Sequence, residues 1–130
     1  SLYRVGKGVS YRVYTAPLPG SVLVYSQSEG GKQLAEALAQ SGHGVYLAEN
    51  ETEFRQEIGK GGYDVVIAAY SDHALVEANQ EGSGTEFIPV AVNEEERQAA
   101  KHAYDRVLLA NQAEVKHYLK AIHKSLKSKT

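Results

Sequence analysis

The positions best placed for chemistry in this chain are the carboxyl ends of its strands, and one of them is chemically silent. The run Tyr63-Asp64-Val65-Val66-Ile67-Ala68-Ala69 ends on Ala69. That residue brings neither charge nor nucleophile to the place where parallel α/β domains bind ligands and react. Asp72 lies three residues on and carries a carboxylate, but Tyr70-Ser71-Asp72-His73 also reads as a helix start with Ser71 or Asp72 as N-cap. The loop Tyr25-Ser26-Gln27-Ser28-Glu29-Gly30-Gly31-Lys32 offers hydroxyls and glycines. As a P-loop it fails, because Ser26 stands where the first glycine is needed and Gln33 where a hydroxyl should follow the lysine. No Gly-x-Ser-x-Gly elbow occurs, so serine-hydrolase chemistry has no nucleophile. Glu94-Glu95-Glu96 reads as a complement to a helix dipole rather than as part of a metal set with His102. His117 and His123 are six apart, which puts them on different faces of a helix. Cysteine is absent, which removes thiol nucleophiles, disulfides and Cys-containing zinc sites. No catalytic and no metal-binding set is expected, and the chain reads as a non-enzyme.

The elements that would position these residues follow from periodicity. The 130 residues suffice for one domain with a real core. Residues 1–20 read as an arm and linker: two extended runs around Gly6-Lys7-Gly8 suggest a β-hairpin, and Pro17, Pro19 and Gly20 break it. Residues 21–130 alternate strand and helix. Val22-Leu23-Val24-Tyr25 is a continuous apolar run, as expected of a strand buried on both faces. Leu34, Ala37, Leu38 and Ser41 then recur at helical spacing, with Gly42 as a stop. Val45 to Ala48 forms a second strand, and Asn50 with Glu53 can cap a helix that buries Phe54 and Ile58. Asp64 to Ala69 is the third strand, followed by a short helix from Ala74 to Gln80. Phe87 to Val92 and Val107 to Ala110 are the fourth and fifth strands. The last helix places Val115, Tyr118, Leu119, Ile122 and Leu126 on one side. Five strands with crossover helices predict a doubly wound, five-stranded parallel sheet of order 2-1-3-4-5, the flavodoxin-like arrangement.

The body resembles the receiver domains of bacterial two-component signalling, on the runs Val22-Leu23-Val24-Tyr25, Tyr63-Asp64-Val65-Val66-Ile67, Ile88-Pro89-Val90 and Val107-Leu108-Leu109. The resemblance implies the CheY-like form of this fold. It also implies a phosphorylation site at defined positions, and this chain departs from the pattern at each. The two Mg²⁺-binding acids fall on Ser26 and Gln27, whose oxygens are weak substitutes for carboxylates. The phosphoryl-accepting aspartate falls on Ala69, and without a carboxylate no acyl phosphate forms there. The signalling hydroxyl falls near Asn93 or Glu94, the lysine after the fifth strand on Ala110, and the aromatic switch on Val107. What the resemblance implies is therefore a pseudo-receiver that acts through protein contacts or as a homodimer. The fourth helix, fifth strand and fifth helix would supply the face, with Lys101, Tyr104, Arg106, Lys116 and Lys120 as candidates.

An alternative resemblance is to flavodoxins, with FMN or another small ligand held by Ser26, Ser28, Gly30 and Gly31 at a helix N-terminus. Glu29 opposes a phosphate there, no tryptophan exists, and Tyr70 is the one ring offered for stacking. The plainer reading of Gly30-Gly31 is a flexible lead into the first helix. No cofactor is expected on the leading reading. The formal net charge is −2, and the lysines from residue 114 onward read as a solvated helix face rather than a nucleic-acid site. No apolar run approaches the roughly 20 residues of a membrane span. The resemblance implies a cytoplasmic protein, whereas a chain that starts at Ser1 and lacks methionine leaves room for an upstream signal peptide, and hence export, or for another domain.

Overall fold

The computed structural model describes residues 20–80, 84–111 and 114–128; the expected N-terminal hairpin lies outside them. The elements are β1 (Ser21–Tyr25), α1 (Glu29–Gln40), β2 (Gly44–Ala48), α2 (Glu51–Lys60), β3 (Val65–Ala69), α3 (His73–Gln80), β4 (Glu86–Ala91), α4 (Glu94–Lys101), β5 (Leu108–Leu109) and α5 (Val115–Ser128), with a 3₁₀ turn, Tyr70–Asp72, before α3. The strands form one parallel sheet in the order β2-β1-β3-β4-β5. This is the flavodoxin-like topology expected from the alternating periods.

Both faces of the sheet are covered, so alternate residues of the central strands enter different cores. Val22, Val24, Val65, Ile67 and Ile88 pack with Ala35 and Leu38 of α1 and with Ile122 and Leu126 of α5. Leu23, Val66, Ala68 and Phe87 point the other way, against Phe54 and Ile58 of α2 and Val76 of α3. Phe54 is fully buried and stacks on Tyr25 with ring centroids 5.0 Å apart. Its truncation to alanine would remove about 3–5 kcal/mol.

The helix ends follow the sequence signals in part. Asn50 accepts from the Glu53 N–H at 2.9 Å, and the Glu53 carboxylate accepts from the Glu49 N–H at 2.8 Å. Asn93 caps α4 in the same way, accepting from the Glu96 N–H at 2.8 Å. Glu94 pairs with Arg97 and Gln98 one turn on, and those bonds hold its carboxyl down at about 2. Before α3 the structure differs: the 3₁₀ turn runs straight into the helix, which begins at His73 rather than Ala74. The expected stripe Leu34-Ala37-Leu38-Ser41 lies on the inward side of α1, with Leu38 fully buried and Leu34 packed on the core, and Gly31 and Ala35 join it as buried residues. Ser41 forms the C-cap, its hydroxyl donating to the Ala37 carbonyl at 3.0 Å.

The strand β5 is shorter than expected, with Leu108 opposite Val90 and Leu109 opposite Ala91. Among the described residues it is an edge strand paired with β4 alone, and Val107 falls outside it. α5 is attached unevenly. Its second half is anchored by buried Ile122, Ser125 and Leu126 and by a polar cluster at the amino end of β4. There Glu86 accepts from the Ser125 hydroxyl at 2.6 Å and from Arg106 at 2.8 and 3.1 Å, while Arg106 also donates to the Lys124 carbonyl. Its first residue, Val115, is exposed.

The amino end of the sheet carries a buried histidine. His43 is 7% exposed and accepts from the Gly20 N–H at 3.0 Å through Nδ1. Burial first, then the nearby His123, holds its pKa below the ordinary value of 6.5. The unfolded chain therefore binds a proton more readily than the folded one just below pH 6.5. The stability that depends on neutral His43 is complete above that pH and is lost as pH falls. Thermal unfolding should show a falling midpoint between pH 7 and about pH 5, and His43→Gln should flatten part of that slope.

Candidate functional site

A cleft of about 870 Å³ opens at the carboxyl ends of the strands, between the first turns of α1 and α5. Val24 near the end of β1 and Ile67, Ala68 and Ala69 at the end of β3 line its base. Ser26, Gln27, Ser28, Gly30 and Gly31 form one wall, and Ala110, Glu114, Val115 and Tyr118 form the opposite one. The sequence positions Ser26, Gln27, Ala69 and Ala110, far apart in the chain, thus meet in one place.

The first wall is built by its own hydrogen bonds. Ser28 is the N-cap of α1, accepting from the Gly31 N–H at 3.2 Å. The Ser26 hydroxyl lies 3.0 Å from that of Ser28 and accepts from the Ser28 N–H at 3.2 Å. The two hydroxyls that the flavin reading assigns to a phosphate therefore stabilise the turn. Gly30 and Gly31 are helical rather than a flexible lead, and they are not equivalent. A Cβ on Gly31 would collide with the Ser26 side chain, whereas one on Gly30 would meet nothing nearer than the Ser28 hydroxyl at 3.8 Å. Gly31 is thus required by close approach of the serine turn, a contact between two elements that spacing alone does not reveal.

The charge in the cleft has one sign. Asp72 and Glu114 are the charged side chains that line it, and among the described residues no lysine, arginine or histidine does so. Burial, and next the neighbouring Glu51, push the Asp72 carboxyl above its ordinary value. Burial, followed by the charges of Asp72 and Glu51, raises the Tyr25 phenol as well. A phosphate here would meet negative potential without a compensating cation. Nothing in this lining favours FMN, and Tyr70 is stacked on His73 at 4.8 Å rather than set into the cleft. Among the described residues no three His, Cys, Asp or Glu side chains gather to hold a metal.

The residues of the candidate interaction face are differently disposed. Tyr104 is half-buried and meets Phe87 edge-on, with centroids 5.1 Å apart. Arg106 is engaged by Glu86. Lys101, at the end of α4, and Lys116 and Lys120, on α5, are exposed, with Lys116 lying 3.8 Å from Glu114. Sequence reasoning did not find Gln33, Val92, Glu114 or Tyr118 as cleft residues. Tyr118 in particular shares the helical stripe of core residues, and its place on the cleft depends on where α5 leaves the sheet.

No protein-family model matches the chain, and no curated protein matches it. Solved structures do. A CheY-like receiver domain of a response regulator from Methylobacillus flagellatus superposes with a TM-score of 0.66 at 17% identity, covering 81% of this chain and 99% of that one. A response regulator from Thermotoga maritima gives 0.70 at 18% identity, covering 85% and 99%. A response regulator from Burkholderia pseudomallei, solved with a phosphorylated aspartic acid, calcium ion and citrate, gives 0.63 at 19%, covering 85% and 72%. The chain has the CheY-like receiver fold. Among the described residues no helix is long and apolar enough to cross a membrane.

Two measurements check this geometry. Chemical denaturation should show Gly31→Ala destabilised by about 1–3 kcal/mol, since the clash with Ser26 outweighs the gain in helix propensity. Gly30→Ala should instead be neutral or stabilising by up to about 1 kcal/mol. Asp72 has a raised pKa, so its ionisation opposes folding above the ordinary value of 3.8. Asp72→Asn should therefore raise the unfolding midpoint at pH 7, with the gain vanishing as the pH falls toward 4.

Proposed function

We propose that this chain is a non-catalytic regulatory module on the receiver scaffold, one that does not accept phosphate and works through contacts with a protein partner or a second copy of itself. The observation that carries this reading is the content of the cleft. An acyl phosphate needs a carboxylate nucleophile, and the strand end offers Ala69. Phosphoryl transfer needs Mg²⁺ held by carboxylates and a cation for the developing charge, and the corresponding places hold Ser26, Gln27 and Ala110. Each substitution removes a different part of the same reaction.

Asp72, three residues beyond Ala69, is the carboxylate nearest in sequence to the end of β3. It sits in the 3₁₀ turn, beside Glu51, with its charge opposed rather than supported. Partner contact on this reading uses the exposed lysines of α4 and α5, Lys101, Lys116 and Lys120, which suit an acidic surface.

Incubation with acetyl phosphate and Mg²⁺, followed by intact-mass measurement, is expected to leave the mass unchanged. A stable phosphate adduct, at Asp72 or elsewhere, would overturn the reading.

A further inference from the structure

We propose that the cleft at the strand ends binds a small organic cation with an apolar body, an alkyl- or arylammonium whose charge lies near Asp72. This inference rests on the reading of the cleft as one that does not take phosphate, and it adds the class of ligand that the same walls would hold.

Size is the first argument. At about 870 Å³ the cleft lies within the roughly 300–1,000 Å³ of small-molecule sites. Its floor ends in alanine, where a larger side chain would fill the space. The rim is the second argument. Three large apolar side chains are exposed among the described residues, Tyr46 at 39%, Val92 at 59% and Val115 at 39%. Val92 and Val115 both border this cleft. Leu34 and Val90 continue the apolar surface inward, so a ligand with a hydrocarbon body would cover surface that now faces water.

Charge decides the other end of the ligand. Glu114 already lies 3.8 Å from Lys116, and Glu51 is bound by Arg55 at 2.8 Å. Asp72 has neither: among the described residues no side chain donates to it, and the charge that acts on it is the like charge of Glu51. An anionic ligand would add to that repulsion. A neutral apolar one would bury the carboxylate further without compensation, which costs free energy. An ammonium group offsets both effects, and the Tyr25 and Tyr118 side chains that line the cleft add aromatic surface for its apolar body. A divalent metal ion is a poorer fit, because it requires several oxygen ligands.

The test is an amide NMR titration at pH 7 with phenethylammonium and, separately, with 3-phenylpropionate, a probe of similar size and opposite charge. Saturable shifts at Ser26, Ala69, Asp72 and Ala110 with phenethylammonium are expected, with an affinity at least about tenfold above that for the carboxylate. Asp72→Asn should abolish the preference. Val115→Lys, a change on the exposed rim that leaves the core untouched, should reverse it. Absence of saturable shifts up to about 10 mM, equal affinity for the two probes, or a preference that survives in both variants would overturn the proposal. A phosphate adduct in the acetyl phosphate experiment overturns the underlying reading, whereas failure of ammonium binding without an adduct overturns the ligand class alone.

Discussion

Burial of the central strands on both faces is the constraint on which the rest of this structure depends. Val22 to Val24 and Val65 to Ala68 give each successive side chain to one of two cores. No polar group can stand in those strands without losing hydration. Chemistry is confined to the residues just past the carboxyl ends, where the backbone leaves the sheet. What occupies those few positions decides what the scaffold can do, and here they are occupied by Ser26, Gln27, Ala69 and Ala110. The core that supports these positions lies one or two residues away, so their identity is set independently of the packing beneath them.

The same sheet explains why a cleft exists at all. α5 is tied at its far half by Ile122, Ser125 and Leu126 and by the Glu86–Arg106 pair, whose charges are about one-fifth exposed. Such a pair acts more through the cost of breaking it than through net stabilisation, since removing either partner leaves a partly buried charge alone. Gly20 adds to the anchor: a Cβ there would meet Leu126 at 2.9 Å. The near half is held less deeply: Tyr118 and Leu119 are partly buried against the same core, while Val115 is exposed and, with Tyr118, lines the cleft. A helix fixed at one end and an edge strand of two residues, β5, together leave the strand ends uncovered.

Much of the fold was legible in the chain. The continuous apolar runs, Asn50 with Glu53, and the glutamates of α4 are local signals with local causes, and the structure realises them. The legible part of the site was its set of strand-end positions, because a strand end marks a place whatever residue fills it. Less legible were the features that depend on two elements meeting. Along the chain Gly31 is one of two adjacent glycines, and what requires it is the Ser26 turn packed against it. Val107 to Ala110 read as a four-residue strand, but an edge strand is stabilised from one side alone and pairs over two residues. Tyr104 and Arg106 read as surface residues, and the ring contact with Phe87 and the reach to Glu86 draw them inward.

By itself the sequence determined the parallel five-stranded scaffold, its strand order and the absence of an acid at the end of β3. These follow from periodicity and from residue identity at single positions. The tertiary structure alone decided that Ser26, Gln27, Ala69 and Ala110 line one cleft, that among the described residues no cationic side chain lines it beside Asp72, and that Val92 and Val115 form its exposed rim. The physical reason is distance. Hydrophobic pattern is written along the chain, whereas charge balance and open volume belong to groups brought together from β1, β3, β4 and α5, and they exist only once those elements are packed.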